Sequence, residues 1–93
     1  MAYRLEFTSK GLHDYQALSE RVLRLVDEHL DMLQEDPRPH GVVALRGETS
    51  GNYRIRVGSH RIGYEVNDGT RTVTIWQIGD RKRFYERARR RRH

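Results

Sequence analysis

Tyr53-Arg54-Ile55-Arg56-Val57, or YRIRV, is the stretch that decides the fold, because apolar and charged side chains alternate strictly along it. Strict alternation is typical of a β-strand with one buried face and one open face. Tyr53, Ile55 and Val57 are therefore predicted to face a core, whereas Arg54 and Arg56 face away from it.

Two more strands are predicted directly after YRIRV. Gly58-Ser59-His60 is expected to form a turn, and Arg61–Val66 (RIGYEV) the next strand. Asn67-Asp68-Gly69-Thr70 is a strong hairpin signal, and Thr72–Ile78 (TVTIWQI) follows as a third strand. The third strand is apolar on both faces apart from its threonines and one glutamine, which favours a central, covered position. Gly79-Asp80 is expected to end it. The pattern predicts an antiparallel meander.

The first half of the chain is predicted to form a strand and a helical unit. Residues 3–8 (YRLEFT) alternate as a strand does, and the stretch from Lys10 to Glu35 has apolar residues at steps of three and four. These are Leu12, Tyr15, Leu18, Val22, Leu25, Val26, Leu30 and Leu33. The unit is interpreted as one bent helix or two joined helices. Asp36–Pro39 ends it, because proline disfavours helix in the residue before it.

The element order predicts an α+β fold. A short extended piece is expected at Val42–Leu45 and a terminal helix from Arg81 to about Arg92, which gives the order β-α(α)-β-β-β-α. The small antiparallel sheet carries the N-terminal helical hairpin or bent helix on one face. Residues 1–88 are predicted to form a single domain, and residues 89–93 a flexible basic tail.

Charge is concentrated in the second half of the chain. Residues 1–40 carry five basic and eight acidic groups, whereas residues 41–93 carry thirteen basic and five acidic groups. Such a surface attracts the phosphates of RNA, DNA or anionic lipid. The chain has no cysteine, which excludes disulfides and thiolate catalysis. No apolar run approaches the ~20 residues of a membrane helix, and the start lacks a signal-peptide core. A cytoplasmic protein without a membrane partner is expected.

Five arginines are predicted to converge on the open face of the sheet. Arg54 and Arg56 lie there by alternation, and the hairpin can place Arg61 beside them on the neighbouring strand. Arg81 and Arg83 follow the third strand and can reach the same side. Five guanidinium groups would repel one another unless an anion fills the space between them. The alternative is a solvated basic face whose charges pair with acidic neighbours; these are Glu65, Asp80 and Glu86.

Other candidate site residues are few. Phe84 is the better core candidate of the terminal segment, so Tyr85, about 100° away on a helix, can face the arginines and orient a nucleotide. Trp76 is interpreted as a core residue. The histidines lack metal-ligand spacing, and no phosphate-binding or serine-nucleophile motif occurs, so no metal and no cofactor are predicted.

The sequence resembles the RelE branch of the RelE/ParE toxin superfamily from Tyr3 to about Arg87. The resemblance rests on EDPRPHGVVALRG (Glu35–Gly47), SGNYRIRVGSHRIGYEVND (Ser50–Asp68) and TVTIWQIGDRKRFYER (Thr72–Arg87). It implies the toxin of a type II toxin–antitoxin pair that acts as a metal-independent endoribonuclease. Such toxins cut messenger RNA in the A site of the 70S ribosome and leave a 2′,3′-cyclic phosphate. An antitoxin is the implied protein partner.

The resemblance also implies roles for the arginines. Arg61 and Arg81 match family arginines and would stabilise the charge of the transition state. Arg54 and Arg56 match a basic pair and would bind RNA phosphates, a role also given to Arg83. Tyr85 matches the tyrosine of the terminal helix and would position the scissile nucleotide.

The proton-transfer groups depart from the family pattern. Many relatives have histidine where this chain has Asp80, so His60, the central residue with a suitable ordinary pKa, is the candidate acid or base. Two alternative functions are kept: a ParE-like inhibitor of DNA gyrase, and a non-catalytic module that binds antitoxin or RNA.

Overall fold

The computed structural model describes residues 2–45 and 51–80. Two helices and five strands are present in this part of the chain. In chain order they are β1 (Arg4–Phe7), α1 (Ser9–Gln16), α2 (Glu20–Glu35), β2 (Val43–Ala44), β3 (Asn52–Val57), β4 (His60–Asn67) and β5 (Thr72–Asp80).

The strands form one sheet in the order β1-β5-β4-β3-β2. The predicted meander is present, because β3, β4 and β5 pair antiparallel with their chain neighbours, and β2 joins the outer edge of β3. β1 pairs parallel with β5, so the sheet is mixed. Parallel strands need a long connection. Here residues 8–71, which contain both helices and the other three strands, connect β1 with β5. The α+β fold class predicted from the sequence is confirmed.

The helical unit is two joined helices. α1 ends at Gln16, and α2 begins after Ser19, whose extended backbone and side chain cap the new helix by accepting a hydrogen bond from Val22 N at 3.4 Å. The predicted apolar positions do not all face the core; Leu25, for example, precedes the buried Val26 and points about 100° away from it around α2. Leu12 and Leu25, both predicted on the buried stripe, are 41% and 43% exposed.

The start of β4 and the end of β5 differ from the sequence prediction. The first turn is only Gly58-Ser59, with Gly58 at φ +60°, so His60 already belongs to β4. β5 does not end before Gly79, because Asp80 still pairs with His60. The prediction that Gly79-Asp80 breaks the strand was wrong: the long β4 offers a partner up to that point.

The core lies between the helices and one face of the sheet. It contains buried residues of α2, β3, β4 and β5, namely Val26, Leu30, Leu33, Ile55, Val57, Ile62, Tyr64, Val66, Val73, Ile75 and Ile78. The alternation predicted for YRIRV is confirmed in this respect, because Ile55 and Val57 are buried here.

Tyr64 links the core to the segment that follows α2. Its ring is fully buried, and its hydroxyl donates a 2.7 Å hydrogen bond to the Pro37 carbonyl oxygen. Burial raises the pKa of Tyr64 above the ordinary value of a phenol. The residue therefore acts as a neutral donor that ties this segment to β4.

A polar cluster ties the same segment to the β4–β5 turn. Arg38 donates to both carboxylate oxygens of Asp68, at 2.9 and 3.3 Å, and its Nε donates to the Tyr53 hydroxyl at 2.8 Å. Tyr3 also donates to Asp68, at 2.7 Å. The hydrogen bonds from Arg38 and Tyr3 hold the pKa of Asp68 below its ordinary value. The charge of Arg38 is thus paired with the carboxylate of Asp68.

Some predictions concern residues outside the described ranges. The terminal helix from Arg81 to about Arg92 and the basic tail at residues 89–93 lie there, and the single-domain boundary at residue 88 stays a prediction. Neither helix in the described ranges is long and apolar enough to cross a membrane.

Candidate nucleic-acid interface

Three arginines share the sheet face that lies opposite the core. The register of β3 with β4 sets Arg56 directly opposite Arg61, and Arg54 directly opposite Gly63. On the other side of β4, Arg61 lies opposite Gly79 of β5. Directly opposed residues have Cβ atoms about 4.5–5.5 Å apart, so Arg56 and Arg61 carry like charges close together. We call the surface formed by Arg54, Arg56 and Arg61 the arginine face.

Arg61 is the most unusual residue of the arginine face, because it is only 5% exposed. Within the described ranges its guanidinium makes one hydrogen bond, from Nη1 to the His60 carbonyl oxygen at 3.3 Å. A buried positive charge normally has a carboxylate partner, since burial without one is costly. None of the ion pairs within the described ranges involves Arg61. The N–H groups of Arg61 that bond to no described residue are suited to an anion.

Arg54 and Arg56 lie nearer to solvent. Arg56 is exposed, and its Nε donates to the Gly58 carbonyl oxygen at 3.4 Å, at the outer limit of a hydrogen bond. Arg54 is half-buried and has interactions of its own. Glu65, a predicted partner of these charges, lies further along β4 opposite Asn52 and Thr74, and it forms no ion pair with Arg56 or Arg61.

His60 is directed away from the arginine face. Its register partners are Val57, a core residue, and Asp80. Successive residues of a strand point to opposite faces, so His60 and Arg61 leave β4 on different sides. The Nδ1 atom lies 3.4 Å from the Ser59 hydroxyl oxygen. The structure thus brings Arg54, Arg56 and Arg61 together and does not add His60 to them.

The remaining candidates lie outside the described residues. Arg81, Arg83 and Tyr85 follow directly after Asp80, the last residue of β5, and their roles stay predictions.

Trp76 is a feature of this face that the sequence analysis assigned to the core. The register of β4 with β5 shifts between Gly63, opposite Gln77, and Tyr64, opposite Ile75, so Trp76 is the extra residue of a β-bulge. A Cβ atom on Gly63 would lie 2.7–3.0 Å from three carbons of the indole ring. That Cβ would point to the arginine face, as Arg61 does two residues earlier.

The indole therefore lies over Gly63 on the arginine face, although Trp76 is only 6% exposed. Bulges re-aim side chains in this way. Gly63 inside an otherwise regular strand was the signal that could have indicated it, because an isolated strand glycine suggests a bulge or a close approach.

Gly63→Ala is expected to displace the indole and to lower the free energy of unfolding by about 1–3 kcal/mol, as overpacking does. Trp76 is the only tryptophan of the chain, so its fluorescence reports on this site alone. We expect a red-shifted emission maximum and a lower melting temperature. Gly69→Ala is the control, since its Cβ would meet only Asn67 Oδ1, at 3.3 Å. An unchanged emission maximum in Gly63→Ala would contradict the placement of the indole.

The chemistry available at the arginine face is that of hydrogen-bond donors with fixed charge. Guanidinium groups bind phosphate oxygens in pairs and do not lose their protons at neutral pH. Within residues 2–45 and 51–80, no three His, Asp or Glu side chains gather as a metal site would require. This face fits a phosphodiester better than it fits a neutral ligand.

Comparisons with known proteins agree on one family. The sequence profile described as ParE toxin of type II toxin-antitoxin system, parDE, matches residues 5–85. Toxin RelG of Mycobacterium tuberculosis is 32% identical over 88 residues, which cover 94% of this chain and all of that protein.

Solved structures give the same result. The isolated RelE toxin of E. coli is similar with a TM-score of 0.77 and 27% identity, over 99% of this chain and 100% of that one. RelE in the RelE–RelB complex of Pyrococcus horikoshii OT3 is similar with a TM-score of 0.76 and 28% identity, over 87% of this chain and 97% of that one. The chain is a RelE-type toxin of the RelE/ParE superfamily of type II toxin–antitoxin systems.

Proposed function

We propose that this toxin is a ribosome-dependent endoribonuclease, which enters the A site of the 70S ribosome and cuts the codon there. The observation that carries the proposal is the buried Arg61 guanidinium, opposite Arg56 and with a single hydrogen bond in the described part of the chain. Two like charges lie together here, and one of them forms no ion pair with a carboxylate of residues 2–45 and 51–80, which favours an anionic ligand.

The proposed reaction is an internal transfer at phosphorus. The 2′-oxygen of one nucleotide forms a bond to the adjacent phosphorus, and the bond from phosphorus to the 5′-oxygen of the next nucleotide breaks. The products are a 2′,3′-cyclic phosphate and a 5′-hydroxyl, after one proton leaves the 2′-hydroxyl and one reaches the 5′-oxygen. Negative charge increases on the two non-bridging oxygens, where donors from Arg61 and Arg81 would stabilise it.

The other residues would bind and position the message. Arg54, Arg56 and Arg83 are proposed to hold neighbouring backbone phosphates, and Tyr85 to hold the nucleotide at the cut. Cleavage would need no metal ion, because fixed guanidinium groups supply the positive charge. The ribosome would contribute the alignment of the message, which is worth several orders of magnitude in rate for well-oriented groups.

The proton-transfer role of His60 is tested by a pH–rate profile. If His60 acts as acid or base, its ring must reach round the end of the sheet, and His60→Gln should remove one limb of the pH–rate profile. Because the register directs His60 to the other face, we expect only a small change, with both limbs kept. Loss of one limb with a rate decrease of about 10²-fold would assign the proton transfer to His60.

The experiment that tests the function is a toeprint of a short message on programmed ribosomes. The wild-type protein is compared with the double variant Arg61→Ala/Arg81→Ala and with Arg24→Ala. Arg24 is the matched control, because it is an exposed arginine on α2 paired with Glu20. A cut at the A-site codon with the wild type and with Arg24→Ala only is the expected result. No cut by folded wild-type protein would overturn the proposal.

A second candidate function follows from the matching profile, which is described as that of ParE toxins. ParE-like inhibition of DNA gyrase would appear as loss of supercoiling activity in the presence of the protein. A protein that neither cuts messages nor inhibits gyrase would be a non-catalytic module that binds antitoxin or RNA. The number of arginines on one face favours the nuclease.

We also propose a cognate antitoxin as partner and the cytoplasm as the place of action. The relative from Pyrococcus horikoshii OT3 was solved as a RelE–RelB complex. Acidic antitoxin groups on the arginine face would supply the anion that Arg61 lacks in the described part of the chain. Antitoxin affinity should then fall in Arg61→Ala and not in Arg24→Ala.

A further inference from the structure

Among the strands of the described residues, the last part of β5 has a neighbour on one side only. β1 pairs with Thr72–Ile75 and ends at Phe7, whereas β4 accompanies β5 up to Asp80. The edge of β5 beyond Ile75 would therefore present unpaired backbone groups. α1 lies along this edge. Thr8, the residue that caps the start of α1, donates a 3.0 Å hydrogen bond from its backbone N–H to the Ile75 carbonyl oxygen.

Asp14 of α1 completes the cover. It is 6% exposed, and its Oδ2 accepts a 3.1 Å hydrogen bond from the buried Ile78 N–H. Its Oδ1 bonds to Lys10 Nζ one turn earlier in α1. A charged acceptor makes a stronger hydrogen bond than a neutral one, so Asp14 holds the strand firmly at this point.

Ile78, the residue of β5 that is bonded to Asp14, is next to the arginine face. Ile78 lies opposite Ile62, and the following residue, Gly79, lies opposite Arg61. β5 then ends at Asp80, after which the sequence continues with Arg81. The hydrogen bond from Ile78 to Asp14 therefore joins α1 to the part of β5 that lies opposite Arg61.

We propose that Asp14 is a positioning residue: its carboxylate fixes the end of β5 against β4 and so sets the position of Arg61, which lies opposite Gly79 of that strand. The proposal rests on the function proposed above, because it concerns cleavage by the same face. Without the carboxylate, the end of β5 loses the hydrogen bond that α1 supplies at Ile78. A shift of about 1 Å at a reacting centre costs up to roughly 10²-fold in rate.

The test compares Asp14→Ala and Asp14→Asn with Asp27→Ala. Asp27 is the matched control, because it is an aspartate that accepts a 2.6 Å hydrogen bond from the Tyr15 hydroxyl and joins the two helices without a bond to β5. Hydrogen exchange of the Ile78 amide, the resonance of the Arg61 Nε–H and the cleavage parameters on programmed ribosomes are measured for each protein.

In Asp14→Ala we expect faster exchange at Ile78, a moved Arg61 resonance, and kcat lowered roughly 10- to 100-fold with KM little changed. Asp14→Asn keeps an acceptor oxygen and should recover most of kcat. Asp27→Ala should lower thermal stability while kcat and the Arg61 resonance stay at wild-type values. Should Asp14→Ala not fold, Asp14→Asn is compared with Asp27→Asn, and a smaller shift in the same direction is expected.

An unchanged Ile78 exchange rate, an unchanged Arg61 resonance, or an equal loss of kcat in Asp27→Ala would overturn the proposal. If the wild type cuts nothing, the proposed nuclease function fails, whereas the exchange and resonance measurements still decide whether Asp14 positions the arginine face.

Discussion

Arg61→Ala is expected to slow A-site cleavage by roughly 10²–10³-fold, the loss found when one fixed donor to a transition-state oxyanion is removed. The reason is the position of the side chain. Arg61 is 5% exposed and lies between Arg56 and Gly79, so its N–H groups cannot be replaced by water at the same places. We expect the loss in kcat rather than in KM, because charge on the phosphate increases only during the reaction.

The same substitution should not lower the stability of the fold. A buried cation opposite another cation, with one long hydrogen bond in the described ranges, opposes folding. The melting temperature of Arg61→Ala should therefore equal or exceed that of the wild type, which separates a functional residue from a structural one. A lower melting temperature would indicate that Arg61 supports the fold.

Arg61→Lys tests whether the reaction needs the paired donors of a guanidinium group or only its positive charge. Lysine restores the charge but not the planar pair of donors, so we expect cleavage between the rates of alanine and arginine. Arg24→Ala, on the outer side of α2, should cut at the wild-type rate. Wild-type cleavage by Arg61→Ala would remove Arg61 from the mechanism.

The arginine face could be predicted from the sequence because it depends on local patterns only. Strand alternation separates Arg54 and Arg56 from Ile55 and Val57 whatever the rest of the chain does. The pairing with Arg61 depends on the turn. A turn of two residues, one shorter than predicted, is what sets Arg56 directly opposite Arg61.

The bulge and the cover of β5 could not be predicted in the same way. Trp76 fits a buried strand by composition. Gly63 signals a close approach in the sequence, but only the register with β4 identifies Trp76 as the residue that turns to the arginine face. Asp14 is an unremarkable polar residue in a helical pattern, and its role appears only when α1 is placed beside β5. Both features depend on contacts between residues distant in sequence, which periodicity does not report.

Gly11→Ala is expected to lower the free energy of unfolding by about 2–4 kcal/mol, a range that starts inside the usual cost of overpacking and extends above it. Two effects oppose each other at this position. Alanine is favoured over glycine inside a helix by up to about 1 kcal/mol, which would stabilise α1. A Cβ atom on Gly11, however, would lie 2.2 Å from the Ile75 carbonyl oxygen and 2.8 Å from its carbonyl carbon.

The clash cannot be relieved by a side-chain movement, since both opposing atoms belong to the backbone of β5. Nor can α1 retreat cheaply, because Thr8 and Asp14 hold it to Ile75 and Ile78 on either side of Gly11. Steric overlap should therefore outweigh helix propensity. A change of 1 kcal/mol shifts the melting temperature of a domain of this size by about 4–8 °C, so the melting temperature of Gly11→Ala should be at least about 8 °C lower.

The control is Gln16→Ala, an exposed position at the end of α1, where surface substitutions usually change stability by no more than about 0.5 kcal/mol. Because a displaced α1 also withdraws Asp14, Gly11→Ala should lose protection of the Ile78 amide together with stability. If Gly11→Ala instead raises the melting temperature, helix propensity prevails, and α1 must be able to move away from β5 at little cost. Such an α1 could not hold the end of the strand in place for Arg61.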